Sequence, residues 1–134
     1  MTQNVLFLCP HGAAKSVFAM TYFNALAAQA GLDAVATNAG TEPDLVVSPK
    51  VSAYLAQEGF DVADFVPRLL TDADLKTADL VVSLGCLTAD AIPADTRCED
   101  WSDVPLPSQA FQASRDQTYQ HVAALVADLA TNGI

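Results

Sequence analysis

The residues Val5-Leu6-Phe7-Leu8-Cys9-Pro10-His11-Gly12-Ala13-Ala14-Lys15-Ser16 join three different chemistries in twelve positions. Val5 to Leu8 is an unbroken apolar run, the pattern of a strand buried on both faces inside a parallel sheet. A cysteine ends it. After the small and polar residues that follow, Ser16 to Ala30 is Ala-rich, with Phe18, Tyr22, Leu26 and Ala30 at four-residue spacing. That spacing predicts a helix, and Gly31 stands where a C-terminal cap belongs. The stretch therefore reads as strand, short loop, helix, with Cys9 at the strand's carboxyl end.

Such a loop can do one thing well. Residues 10 to 15 can fold with successive backbone N–H groups pointing inward. Gly12, Ala13 and Ala14 let the backbone approach a ligand closely. The helix behind them adds its free N–H groups and the positive end of its dipole. A nest of this kind, built from Pro10, His11, Gly12, Ala13, Ala14 and Lys15, holds an oxyanion. It also favours the thiolate form of a thiol at its centre, which is the reactive form. Cys9 is then a candidate nucleophile, and Lys15 a candidate anion contact, while Ser16 reads as a helix-start residue. The plain alternative for Cys9 is a small buried hydrophobe.

Outward from this stretch, Ala34 to Thr37 reads as a second strand followed by the loop AGTEPDL. Ser48-Pro49 supplies an N-cap with proline at the first helical position, and the helix runs through Val51 and Leu55 to Gly59. Thr71 to Ala78 opens with a Thr-x-x-Asp capping pattern. Leu80 to Leu84, LVVSL, is a β-branched strand. Residues 85 to 108, with Pro93, Pro105 and Pro107, read as a long loop. Phe111 to Ala130 reads as a closing helix with Val122, Leu125, Val126 and Leu129 apolar. Trp101 and Phe111 are expected to pack under the long loop, and His121 to lie on the surface. Strands alternating with helices imply an α/β architecture, a small parallel sheet with helices on both faces. Ligands in such sheets sit beyond the carboxyl ends of strands. Cys9 and the Gly85-Cys86 pair both fall there.

The 134 residues fit one domain, 1–134, and half of them are apolar. No apolar run nears the ~20 residues that cross a bilayer, and no leader pattern opens the chain. The expectation is a soluble, cytoplasmic protein that engages no membrane. With 16 acids against 6 bases, the formal net charge is −10. That argues against a nucleic-acid partner, whose phosphates call for Lys and Arg. It also requires any anion site to be made locally. The three cysteines, Cys9, Cys86 and Cys98, suit neither a secreted disulfide framework nor paired zinc ligands. No metal site is expected.

The order of these pieces resembles the low-molecular-weight protein tyrosine phosphatase superfamily, and within it the thioredoxin-coupled arsenate reductases. The family's signature is Cys, five residues, then Arg-Ser, between the first strand and first helix. Here Cys9 is followed by five residues and Lys15-Ser16. NAGTEPD at 38–44 is similar to the family's Ala-Gly-Thr segment. SPKVSAYLAQEGFDV resembles its second helix. ADLVVSLGC, ending at Cys86, resembles its later strand and redox cysteine, and CEDWSDVP the acidic-Trp stretch before its catalytic Asp-Pro. The resemblance implies a three-layer fold with a four-stranded parallel sheet, low-molecular-weight phosphatase-like. It implies Cys9 as nucleophile, Ser16 bonded to its thiolate, and Cys86 as the thiol that resolves the adduct.

The departures bear on function. Lys15 replaces an arginine, whose planar fork matches an oxyanion where an ammonium is only a point charge. Gly12 replaces the loop's usual asparagine. Leu106-Pro107 replaces the Asp-Pro general acid, and leucine protonates nothing. Asp103 and Asp100 are nearby in sequence, and Asp103 is the candidate general acid. A third redox cysteine is absent from 89–93, and Cys98, twelve residues beyond Cys86, is the candidate third thiol. These features favour an arsenate reductase-like enzyme, with arsenate held in the 9–16 loop and a Cys9–Cys86 disulfide formed as arsenite leaves. No bound cofactor is implied; the reductant is an external thiol such as thioredoxin. The alternatives are a weak or specialised phosphatase acting through a Cys9 phosphocysteine on a phosphate-type oxyanion, and a catalytically impaired oxyanion-binding homologue.

Overall fold

The computed structural model describes residues 2–85 and 92–134. In chain order the elements are β1 (Gln3–Leu8), α1 (Lys15–Gln29), β2 (Ala34–Ala39), α2 (Pro49–Gln57), α3 (Asp72–Thr77), β3 (Leu80–Ser83), β4 (Arg97–Asp100) and α4 (Phe111–Asn132). The four strands form one sheet in the order β2-β1-β3-β4, and every pairing is parallel. The chain leaves β1 toward β2 on one side and then returns to place β3 on the other. The switch point is thus the carboxyl end of β1, directly before Cys9.

The apolar run Val5 to Leu8 is continuous because it serves two cores. Val5 and Phe7 join the larger one, with Val17, Phe18 and Phe23 of α1, Val51 and Leu55 of α2, and Val122, Leu125 and Leu129 of α4. Leu6 and Leu8 face the opposite side, with Val81 of β3 and Leu75 of α3. Helices therefore lie on both faces of the sheet. No described helix is long and apolar enough to cross a membrane.

The three helices of the larger face are tied by a polar cluster. The Tyr22 hydroxyl on α1 donates to the carboxylate of Glu58, at the end of α2, and accepts from Arg115 Nε on α4 at 3.0 Å. Arg115 also meets Glu58 at 2.8 Å and stacks over the Tyr119 ring. Burial first, and the Glu58 carboxylate second, hold the Tyr22 hydroxyl far above its ordinary pKa. It stays protonated and serves as a donor.

The elements follow the sequence patterns closely, with one exception. β4 lies within the stretch 85–108, where composition and prolines indicate a loop. Its residues, Arg-Cys-Glu-Asp, carry no β-branched or alternating signal, and as an edge strand it pairs with β3 alone. Trp101, next along, is buried against Phe7 at 5.5 Å between ring centroids. His121 is held more closely than a surface residue: it stacks on Trp101 at 4.8 Å and its Nε2 meets Asp103 at 3.0 Å.

The Thr-x-x-Asp pattern at 71–74 forms a complete capping box. Asp74 N–H donates to the Thr71 hydroxyl at 3.2 Å, and Thr71 N–H to the Asp74 carboxylate at 2.9 Å. A hydrogen bond from Arg68 is the main cause that holds the Asp74 carboxyl below the usual aspartate range; the Thr71 contacts add to it and outweigh burial. The Asp74 contribution is accordingly present above the ordinary aspartate value and lost as pH falls through the lowered one. Thr71→Ala is expected to cost ~1 kcal/mol in urea unfolding at pH 7. For Asp74→Asn, the difference from wild type should shrink steadily below about pH 4. A difference unchanged at acid pH would show that the carboxylate charge is irrelevant to the cap.

Candidate active site

The loop between β1 and α1 can be described by where its backbone groups go. Pro10 C=O accepts from Glu42 N–H at 2.7 Å, His11 C=O from Asp44 N–H at 3.0 Å, and Ala13 C=O from Ser48 N–H at 2.9 Å. Gly12 C=O accepts from the Asn38 side-chain amide at 3.1 Å. Ala14 C=O is taken by the first turn of α1, through Val17 and Phe18 N–H. Five successive carbonyls are thus engaged from outside the loop. Among the described residues, none of the N–H groups of 11 to 16 has a protein acceptor. Buried or half-buried N–H groups without partners are costly unless a ligand or water supplies the acceptor. The loop is a row of backbone donors of the kind that suits an oxyanion acceptor.

Two glycines make that arrangement possible. Gly12 has φ +62°, in the left-handed region. Gly40, just past β2, lies against the loop so closely that a Cβ there would sit 2.8 Å from Pro10 O and 2.9 Å from Gly12 N. Both neighbours are backbone and have little freedom to give way. Gly40 is held from behind as well, since its N–H donates to Arg68 C=O at 3.0 Å and its C=O accepts from Leu70 N–H at 2.9 Å.

Cys9 is buried. Its Sγ lies 2.9 Å from the Ser16 hydroxyl, which is itself wholly buried. The Asn38 Nδ2 donates to that hydroxyl at 3.0 Å. The Lys15 side chain, 7% exposed, folds inward rather than into solvent. Its Nζ reaches Val104 C=O at 3.5 Å and lies beside Gly85. Among the described residues it meets no carboxylate, whereas Arg68, Arg97 and Arg115 all do. A buried ammonium without an acidic partner is unfavourable by itself and is relieved by an anion.

A profile described as "Low molecular weight phosphotyrosine protein phosphatase" matches residues 4–132. The chain belongs to this family. Its relatives include a putative arsenate reductase of Halobacterium salinarum, 30% identical over 89 residues. That match covers 64% of this chain and 63% of the relative, just under two thirds of its length. Among solved structures, arsenate reductase from Archaeoglobus fulgidus is 28% identical with a TM-score of 0.77, over 92% of this chain and 98% of that one. A thioredoxin-dependent arsenate reductase of Corynebacterium glutamicum, 24% identical, shares the fold with a TM-score of 0.70 over 96% of this chain and 60% of that one.

As a low-molecular-weight phosphatase family member, the chain shows altered surroundings at its loop. A cleft beside the loop is lined by His11, Ala14, Ser48, Lys50, Leu106 and Phe111, among others, and among the described residues no acid lines it. Leu106 is about half exposed there. Asp103 directs its carboxylate to His121 on α4 and does not line this cleft. The His11 ring turns to the rim, where Nδ1 pairs with Glu42 C=O at 2.9 Å and lies 3.5 Å from Asp44. Cys98 belongs to the opposite sheet face from Cys9: it packs with the Leu6, Leu8 and Val81 cluster, in register with Val81. Burial, with Asp100 and Glu99 beside it, pushes the Cys98 thiol's pKa up, away from the reactive form. Cys86 lies outside the described residues.

Reading the sequence alone assigns no role to Asn38, Gly40 or the Val104 carbonyl. For Asn38 a signal exists, a polar amide in the otherwise small and apolar strand-end Ala34–Ala39. Gly40 stands in the Ala-Gly-Thr segment, but its contact with residue 10 is created by the fold. Gly40→Ala is expected to destabilise the chain by ~1–3 kcal/mol and to weaken phosphate binding, read by calorimetry. Unchanged phosphate affinity in a folded Gly40→Ala variant would mean that the close approach does not shape the nest.

Proposed function

We propose that this chain is an arsenate reductase of the thiol–disulfide type. The observation that supports it best is a donor-lined loop with a buried thiol and a buried ammonium, flanked by a cleft with no acid among its described lining residues. Phosphomonoester hydrolysis calls for a proton to the leaving oxygen, a contribution of roughly 100- to 10,000-fold. Displacement of hydroxide or water from arsenate asks less of a general acid.

On this reading the arsenate oxygens take the free N–H groups of residues 11 to 16, with Lys15 offsetting their charge. The Cys9 thiolate, stabilised by the Ser16 hydroxyl, attacks arsenic. A Cys9 S–As bond forms and an As–O bond breaks, with the oxygen leaving as water after protonation. The Cys86 thiolate then attacks Cys9 Sγ. The S–S bond forms, the S–As bonding pair stays on arsenic, and As(V) leaves as arsenite, As(III). The two electrons come from the two thiolates. An external dithiol, thioredoxin in a reducing cytoplasm, restores both thiols by exchange. Cys98 stays outside this relay, consistent with its position on the other sheet face.

The test is turnover of arsenate with thioredoxin or dithiothreitol, followed by arsenite release. Wild type should release arsenite, and peptide mapping of protein quenched without reductant should find a Cys9–Cys86 disulfide. Cys9→Ser should lose arsenite release altogether, and Cys86→Ser should lose multiple turnover. Cys86 found always as a free thiol would sink the mechanism. Para-nitrophenyl phosphate hydrolysis that survives Cys86→Ser and is lost in Cys9→Ser would select the phosphatase reading. Oxyanion binding with neither reaction would select the binding homologue.

A further inference from the structure

Asn38 stands on the same sheet face as Cys9. It is paired in register with Phe7 on β1, and its side chain is 1% exposed among the residues behind the loop. One hydrogen of its Nδ2 goes to Gly12 C=O at 3.1 Å and the other to the Ser16 hydroxyl at 3.0 Å. Its Oδ1 is buried and has no partner among the described residues. An unsatisfied buried acceptor is destabilising. An apolar residue would fill this position between β1 and α1 without that cost, so the amide is retained for what its donors do.

We propose that Asn38 is a positioning residue for the Cys9 thiolate. It sets the direction of the Ser16 proton and the conformation of Gly12. The Ser16 oxygen accepts from Asn38, so its own hydrogen is left for Cys9 Sγ at 2.9 Å. A thiolate can only accept in that pair, so the chain runs one way: Asn38 amide to Ser16 oxygen, Ser16 hydrogen to Cys9 sulfur. The second amide hydrogen restrains Gly12 C=O, in the residue whose φ of +62° turns the loop. Gly12 brings no side chain of its own to the nest. The amide that holds the loop together reaches in from β2 instead. One side chain thereby couples the polarity of the thiolate's hydrogen bond to the shape of the anion nest.

The proposal rests on the assignment of Cys9 as nucleophile but not on arsenate as substrate, and the test separates the two. Cys9 in the full chain is alkylated with iodoacetamide across pH, and the modified peptide is quantified beside that of Cys98. In wild type, Cys9 should react well before Cys98 as pH rises. Asn38→Asp is close to isosteric, but its carboxylate accepts from Ser16 and draws that hydrogen away from sulfur. Asn38→Leu removes both donors. Both variants should move the Cys9 profile to higher pH, with about tenfold less alkylation at pH 7, and Asn38→Asp should move it further than Asn38→Leu. Ser16→Ala should give a similar shift, and Asn38→Leu added to Ser16→Ala should shift it little more, since the amide acts through that hydroxyl. Thermal unfolding of each variant reports folding separately. A folded Asn38→Asp variant whose Cys9 profile matches wild type overturns the proposal, as does full additivity with Ser16→Ala. A wild-type Cys9 no faster than Cys98 overturns the nucleophile assignment and the proposal together.

Discussion

The contact on which the rest of this structure depends is the seating of Gly40 against the backbone of residues 10 to 12. There is no room for a Cβ there. With the two segments this close, the main chain of 40–48 lies along the loop, and its N–H groups take the carbonyls of Pro10, His11 and Ala13. A peptide unit's carbonyl and N–H point in opposite directions. Fixing the carbonyls outward therefore leaves the N–H groups as the loop's unused polarity. The row of N–H groups without protein acceptors among the described residues is a consequence of this outer tethering more than of any side chain inside the loop.

The same constraint gathers N–H donors without protein acceptors among the described residues, beside a buried cation, in a chain whose formal net charge is −10. Long-range charge opposes an anion, but screening limits its reach to about 10 Å at ordinary salt. Inside the loop the field is set by backbone dipoles, by the amino end of α1 and by the buried Lys15 ammonium. The three arginines, each committed to carboxylates elsewhere, take no part. Lys15 lies under Val104 C=O and beside Gly85, at the edge where β1 and β3 end. It joins the loop to the segments that follow β3 and β4.

The chemistry implied by this geometry is directional. A thiol sits at the switch point of the sheet in hydrogen-bond contact with the Ser16 hydroxyl, next to the loop's row of N–H groups. The adjoining cleft offers apolar walls and Lys50, whose ammonium rides over the Phe111 ring at 4.6 Å, and no carboxylate lines it among the described residues.

Much of this was legible in the residues. The unbroken run Val5 to Leu8 announces a strand with two cores, and the pattern after it announces loop and helix. Cysteine with Lys-Ser six and seven positions on is likewise visible in the sequence, because these are chemical identities that a sequence states outright. Even the capping box at Thr71 and Asp74 is local and needs no fold to be recognised. β4 was not legible, because an edge strand of Arg-Cys-Glu-Asp takes its conformation from β3 rather than from its own propensity. Nor was the separation of Cys98 from Cys9, since which face a thiol occupies depends on strand register. Asn38 and Gly40 owe their importance to a crossover that brings β2 beside β1. By itself the sequence determined the strand–loop–helix unit and the side chains that the loop carries. Only the tertiary structure decided which backbone groups point inward, because that depends on contacts between residues some thirty positions apart.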